Sequence, residues 1–357
     1  MTDTIRIQDR FNKALGSRSK DEPTQSKEAT KQASLFVAKS ANQWLEEASK
    51  RPIPKKLFSS FWFEGEVCIL YADTNVGKSI LAVQIADIIS SSVSFTAAFD
   101  CEIKEPTKVL YFDFELSDKQ FENRYSNNYK DHYKFAPEFI RIEINPDAEI
   151  PDGIEFEDYL SDAIEQTIKE TGAKVIIVDN LTYLKNETEK ARNALPLMKR
   201  LKALKNKYEL SMLILAHTPK RDPSKPLSRN DLQGSRTLMQ FCDSSFALGE
   251  SYKDSTLRYL KQIKVRNTEF QFDSENVIVC AIKKENNFLC LDFVEYADER
   301  AHLKEQSEKE VKKLEQIITE MHQDGKSLRD IAKELNINHM KVSRVIKRTS
   351  EQQALEL

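Results

Sequence analysis

Gly77, Lys78 and Ser79 carry the strongest chemical signal in the chain. They close the run Ala72-Asp73-Thr74-Asn75-Val76-Gly77-Lys78-Ser79, which follows an apolar stretch and opens a helical pattern. A loop in that context has the form of a Walker A phosphate cradle. Backbone N–H groups at the helix N-terminus would hold a β-phosphate, because unpaired donors and the helix dipole both favour an anion there. Lys78 would reach the β- and γ-phosphates, the Ser79 hydroxyl would ligate Mg²⁺, and Gly77 would let the backbone approach where a Cβ does not fit. ATP and Mg²⁺ are therefore the expected cofactors, with Ala72, Asp73, Thr74, Asn75, Val76, Gly77, Lys78, Ser79 and Ile80 as the nucleotide-binding set. Ala72 stands where the pattern has its first glycine, a departure that P-loop sequences accept.

A second run, Val175-Ile176-Ile177-Val178-Asp179, ends an apolar strand in a carboxylate, as a Walker B motif does. Asp179 would hold the Mg²⁺ through water. The next residue is Asn180, so the acid that polarises the attacking water must come from elsewhere. The strand Tyr111-Phe112-Asp113-Phe114-Glu115 supplies one.

These groups need a rigid frame. Strands are expected at 67–72, 109–114, 175–178, 212–216 and 245–248, each a near-continuous apolar run of the kind a parallel sheet covered on both faces requires. Helical patterns fall at 78–89, 119–129, 156–171 and 190–208. The alternation predicts a doubly wound α/β domain. A later block, 257–265, 277–282 and 288–296, alternates like antiparallel strands finishing one edge. Residues 1–34 read as a flexible arm, 35–297 as the ATPase domain, starting with a short amphipathic helix within 35–50, and 298–357 as a helical linker and a small all-α domain.

At this point the chain resembles the RepA-like and DnaB-like ring helicases of the RecA superfamily, over about residues 40–297 and with the motifs in order. The resemblance implies a RecA-like, mostly parallel sheet. It makes Glu115 the residue that activates water, with Asp113 as its rival, and Arg124 matches the family's spacing after that Glu. His217, ending the strand Leu213-Ile214-Leu215-Ala216-His217, falls where the family senses the γ-phosphate. The loop 219–232 falls where such rings touch single-stranded DNA, and Lys220, Arg221, Lys225 and Arg229 would pair with phosphates there. Gln233-Gly234-Ser235 then opens a helix. Lys264 and Arg266, in Lys261-Gln262-Ile263-Lys264-Val265-Arg266-Asn267, match a pair that reaches the neighbouring subunit's ATP. Two apart on an edge strand, they are expected to share a face. The compact chain favours the RepA-like member, hence a DNA helicase or motor of a plasmid, phage or mobile element, acting as a homo-oligomeric, hexameric ring.

Near the C-terminus, 327–335 reads as a helix capped by Ser327, 336–338 as a turn and 339–348 as a second helix. That helix buries Met340 or Val342, with Val345 and Ile346, and exposes Lys341, Ser343, Arg344, Lys347 and Arg348. The pattern resembles the helix-turn-helix of resolvases and regulators, whose second helix enters the major groove of duplex DNA. A protein-docking cap uses the same pattern. The alternative to a motor is an ATP-switched DNA-binding regulator that separates no strands. A small-molecule kinase is disfavoured, since nothing resembles an acceptor-binding lid.

The net charge of −3 over 357 residues gives no global attraction to nucleic acid, so any DNA contact must be local. The five cysteines show no metal or disulfide spacing. No apolar run reaches the length of a membrane span and no leader pattern opens the chain, so a cytoplasmic protein is expected.

Overall fold

Apolar runs too continuous to face water on either side become the middle of a nine-stranded sheet. The computed structural model describes residues 36–94, 97–180, 194–219, 221–232, 235–335, 337 and 339–355. The expected arm at 1–34, Lys220, Gln233 and Gly234, and the turn residues Asn336 and Asn338 lie outside the described residues.

In chain order the strands are β1 (Lys56–Phe58), β2 (Trp62–Phe63), β3 (Val67–Ala72), β4 (Val109–Asp113), β5 (Ser126–Asn127), β6 (Asp131–His132), β7 (Phe139–Ile142), β8 (Val175–Asp179), β9 (Ser211–His217), β10 (Ser244–Glu250), β11 (Leu257–Lys264), β12 (Val277–Glu285) and β13 (Phe288–Ala297). The α-helices are α1 (Ala41–Ser49), α2 (Lys78–Ser91), α3 (Asp118–Arg124), α4 (Phe156–Thr171), α5 (Ala194–Tyr208), α6 (Ser235–Phe241), α7 (Lys304–Gln323), α8 (Leu328–Glu334) and α9 (His339–Leu355).

The chain divides at Ile53 into two compact units. In the first, α1 is closed by a capping box between Ser40 and Gln43, and none of its residues is buried. The second holds the sheet, in the order β13-β12-β11-β10-β3-β9-β8-β4-β7. The six strands from β10 to β7 are parallel, and β11, β12 and β13 complete the other side as antiparallel neighbours. β9 separates the strand leading to the phosphate loop from the strand ending in Asp179, the order of a RecA-type core.

Side-chain alternation explains the apolar runs. In β3, Cys68, Leu70 and Ala72 join the core on the α2 face, whereas Val67, Ile69 and Tyr71 join the core containing residues of α4 and α5. A strand buried on both faces cannot alternate apolar with polar. Helix α2 is itself buried almost from end to end, so it is apolar all round rather than amphipathic.

The expected strands are present, with ends shifted by a few residues. Three elements were not expected: the β1–β2 hairpin, the β5–β6 hairpin and β7. The helix expected at 119–129 stops at Arg124, because Tyr125 and Ser126 turn inward and begin a small hairpin. Strand β11 is not at the sheet edge; β12 and β13 lie outside it.

The segment expected to start a linker at 298 packs into the ATPase unit. Glu299 and His302 are buried. Glu299 accepts from Lys261 Nζ at 2.6 Å and from the Leu227 N–H at 2.6 Å. The helical segment proper begins at Lys304, where α7, α8 and α9 enclose a small core of Ile318, Ile331, Ala332, Val342 and Val345. Val342 rather than Met340 points inward. Ser327 caps α8 as expected.

One buried acid in α2 plays no part in phosphate binding. Asp87 accepts from the Tyr133 hydroxyl at 2.9 Å through Oδ2, while Oδ1 is buried without a hydrogen-bond partner. Burial pushes its pKa up to about 6. The unfolded value is ~3.9, so the stability that the neutral acid provides is complete below that pH and is lost as pH rises through about 6. Asp87→Asn should therefore be more stable than the parent by about 1–2 kcal/mol at about pH 8, with the gain vanishing towards about pH 4. Paired thermal melts across that range check it.

Candidate active site

β3 delivers the chain to a loop that needs unusual backbone angles. Asn75 has φ 62° and Gly77 has φ 112°. Asparagine tolerates the left-handed region, and glycine enters it without penalty. A Cβ on Gly77 would also stand a tight 3.2 Å from Ile282 Cδ1, but it is the backbone angle that requires glycine. Gly77 is the N-cap of α2 and no side chain caps that helix, which leaves its first N–H groups to an anion.

Lys78 begins the helix and its residue is only 5% exposed. Its ammonium donates to Ala72 O at 3.2 Å and Asp73 O at 3.1 Å, and lies 3.0 Å from His217 Nδ1. Burial lowers its pKa, against the opposing pull of Asp179, Glu115 and Asp73. An ammonium can only donate, so Nδ1 of His217 accepts and the ring proton lies on Nε2. That nitrogen is 3.1 Å from Glu115 Oε1. The Asn180 amide nitrogen contacts both Glu115 Oε1 and His217 Nε2, the latter at 2.8 Å. Lys78, His217 and Glu115, predicted from three separate motifs, thus form one hydrogen-bonded chain. The hydrogen bond from His217 is the main cause that holds the Glu115 carboxyl below the usual range, so the group is ionised as a base must be.

The backbone around Glu115 is fixed by Asp113. Its Oδ1 accepts the N–H groups of Glu115 at 3.2 Å and Leu116 at 3.0 Å, and its Oδ2 accepts from Arg141 Nε at 2.8 Å. Asp113 is therefore committed to shaping the loop, and Glu115 is the acid facing the cleft. Arg141, from the unexpected strand β7, also donates to Leu116 O at 2.7 Å. The short run Phe139-Ile140-Arg141-Ile142 was the available signal for that strand.

Asp179 is wholly buried at the end of β8. Tyr111 donates to its Oδ2 at 2.6 Å, and its Oδ1 is buried with no hydrogen-bond partner. Burial raises its pKa to about 6, with Tyr111 and Ser79 pulling the other way. An orphaned carboxylate oxygen beside a hydroxyl suits a hard divalent cation, which prefers oxygen donors. Ser79 and Asp179 therefore fit Mg²⁺. The cleft between the phosphate loop and Glu115, His217 and Arg124 has a volume of about 270 Å³. Tyr111 and Asn180 joined the site without having been assigned a role in the sequence.

Other expected residues lie elsewhere. Lys264 and Arg266 do not share a face of one strand, because β11 ends at Lys264. Lys264 Nζ caps the end of α6, donating to Met239 O and, at 2.6 Å, to Cys242 O. Arg266 pairs with Asp243 at 3.0 Å. Asp243 in turn accepts from the N–H of Val67, the first residue of β3. The pair therefore sits where β3 begins, whereas the phosphate loop leaves where β3 ends, roughly 20 Å away along the strand. In the loop 219–232, Arg221 donates to Lys225 O and Arg229 to Ile263 O at 3.3 Å. Lys225 is exposed and pairs with Asp222. On α9, Arg344, Lys347 and Arg348 are exposed, and Arg348 pairs with Glu315; the side chain of Lys341 lies outside the described residues.

A phosphate loop opening a buried helix, an acid one strand beyond its neighbour and a second acid facing both define a P-loop ATPase with a RecA-type strand order. A family model described as an AAA domain matches residues 34–223, more than half of the chain, and the chain belongs to that family. The match spans Lys78, Glu115, Asp179 and His217 and stops before β10. Among solved structures, a KaiC-like protein from the hyperthermophilic archaeon Pyrococcus horikoshii is similar, at 14% identity and TM-score 0.44, over 66% of this chain and 93% of that one. No curated protein matches the sequence. Among the described residues no helix is long and apolar enough to cross a membrane.

Replacing Glu115 by Gln keeps the size and the phosphate cradle but removes the base. The variant should bind ATP like the parent and turn it over ~10² or more times slower. Nucleotide titration and phosphate release, measured on the same preparation, check both halves.

Proposed function

We propose that the chain is an ATP-driven DNA motor of the RepA-like kind, working as a homo-oligomeric ring and completing each ATP site with a cation from the next subunit. In the hydrolytic step Glu115 accepts a proton from water as the water oxygen bonds to the γ-phosphorus and the bond to the ADP oxygen breaks. Lys78 and the loop N–H groups hold the β- and γ-phosphates, and His217 links Lys78 to Glu115, so a change at the γ-phosphate is felt by the base. Ser79 and Asp179 would hold Mg²⁺, which would supply charge neutralisation at the phosphates.

The observation that carries the oligomeric reading is the position of Arg266. It lies past the start of β3, half-exposed, at the end of the sheet opposite its own phosphate loop. A phosphate it stabilises has to belong to another copy. Single-stranded DNA in the ring and duplex DNA on the exposed basic side of α9 are the proposed partners, and a plasmid, phage or mobile element the proposed setting. The helix-turn-helix reading of α8 and α9 rests on the Ser327 cap and the inward Val342 and Val345.

One observation favours the second reading, an ATP-switched DNA-binding regulator. Arg221 and Arg229 are bonded to the chain's own carbonyls, and Leu227 and Leu232 are buried, so the loop 219–232 is strapped down. ATPase rates with and without single-stranded DNA separate the two readings: stimulation supports the motor, indifference the regulator.

Two further outcomes are expected. Arg266→Ala should bind ATP nearly normally and hydrolyse it ~10³ times slower, as loss of an arginine finger does. Lys78→Ala subunits should hydrolyse nothing, yet mixing the two variants should restore part of the activity, because some intact cradles then face intact Arg266 donors. Co-assembly without any recovery would reject the trans role. Deleting residues 305–357, beyond the buried Glu299 and His302, should preserve nucleotide binding and weaken duplex binding in an anisotropy titration; unchanged duplex affinity would instead support a docking cap.

A further inference from the structure

The phosphate loop is supported from behind by the antiparallel end of the sheet. Arg258, near the start of β11, is 8% exposed, although arginine is rarely buried without a purpose. Its Nε donates to Val76 O at 2.7 Å, and its Nη1 donates to Ser255 O at 2.7 Å and Leu257 O at 2.8 Å. Glu250 lies 3.8 Å from Nη2. The planar guanidinium is thereby fixed to one short segment of β11 and its approach, with one arm extended to the phosphate loop. Ile282 of β12 lies on the side of Gly77 where a Cβ would stand, its Cδ1 3.2 Å from that position.

We propose that Arg258 is a positioning residue for ATP: it sets the orientation of the Val76–Gly77 peptide and so aims the Gly77 N–H into the phosphate cradle. Within a trans peptide the C=O and the following N–H point in opposite directions. Fixing the Val76 carbonyl on the Arg258 side turns the Gly77 N–H away from it. Gly77, at φ 112°, has no side chain to hold that plane, and Ile282 Cδ1 fills the space on the side where a Cβ would stand. The brace comes from residues beyond 223, outside the part of the chain that the family model matches. It rests on the P-loop assignment and is independent of whether the protein acts on DNA.

The test uses the full-length chain with ATP and ADP as ligands. Arg258→Lys keeps the positive charge but loses the fork that spans Val76, Ser255 and Leu257. It should weaken binding of both nucleotides about ten-fold, the scale of a lost charge-assisted hydrogen bond, with the loss falling on KM more than on kcat. Glu250→Gln, which leaves the Val76 bond intact, should bind like the parent. Parental affinity in Arg258→Lys, even with a lowered Tm, would overturn the proposal by making the arginine merely structural. An equal loss in Glu250→Gln would overturn it by tracing affinity to local charge. Should Arg258→Lys not fold, Ile282→Val loosens the same brace by one methyl; weaker ADP binding with an unchanged melt supports the proposal, and unchanged ADP binding rejects it. Failure of the parent to bind either nucleotide would instead reject the P-loop assignment itself.

Discussion

The central parallel strands of this sheet, covered on both faces, have no place for charge except at their ends. The catalytic site follows from that constraint. β3, β4, β8 and β9 are apolar through their middles and reach charged or catalytic groups where they emerge: the phosphate loop after Ala72, Asp113 at the end of β4 and Glu115 just beyond it, Asp179 at the end of β8 with Asn180 next, His217 at the end of β9. Because the strands are parallel and in register, those ends converge. The low-dielectric core then sharpens each interaction. Lys78 is drawn toward carbonyls and His217, Glu115 is held ionised by its hydrogen bond, and Asp179 keeps one oxygen unpaired for a cation.

The same constraint decides what the sequence could reveal. Continuous apolar runs ending in an acid or in a Gly-Lys-Ser turn mark the buried parallel strands, which is why the two Walker motifs stand out in the sequence, whereas the roles of Glu115 and His217 came from the family resemblance. Strand β7 has four residues, all only half-buried and one of them Arg141, so its run was too short and too mixed to stand out. The β1–β2 hairpin contributes Phe58 and Trp62 to the core from two very short strands, again below the length at which periodicity speaks. Roles that depend on where a partner lies were not legible at all. Asp113 and Glu115 both end one strand, and only the arrival of Arg141 from β7 separates the loop-shaping acid from the one facing the cleft. The shared face expected for Lys264 and Arg266 failed because the strand stops at Lys264, whose amine is taken by the carbonyls ending α6.

The antiparallel strands have a different task from the parallel ones. They add no residue to the catalytic chain of Lys78, His217 and Glu115, yet they touch the phosphate loop through Arg258 and Ile282 and hold the loop 219–232 through Lys261 and Glu299. Both partners of the buried Lys261–Glu299 pair have further hydrogen bonds, Lys261 donating to Leu227 O and Glu299 accepting from the Leu227 N–H, which is the condition under which a buried ion pair is tolerated. This arrangement ties the segment following His217 to the residues that precede α7. A displacement of the strand end at His217 therefore meets a strapped loop whose far anchor is the root of the C-terminal helices.

The two ends of the sheet also constrain any assembly. Each copy carries its phosphate loop at one end and Arg266 at the other, so a contact joining the two uses different surfaces on the two partners. Such a contact is heterologous, and a two-fold dimer, whose partners present the same patch to each other, does not form through it alone. Heterologous contacts either close as rings or continue as filaments, and the rotation between neighbours decides which. Sheet polarity thus sets the proposed trans role apart from a symmetric pair: the direction of the parallel strands fixes donor and acceptor ends on every subunit, and only closure into a ring gives each donor an acceptor with none left over.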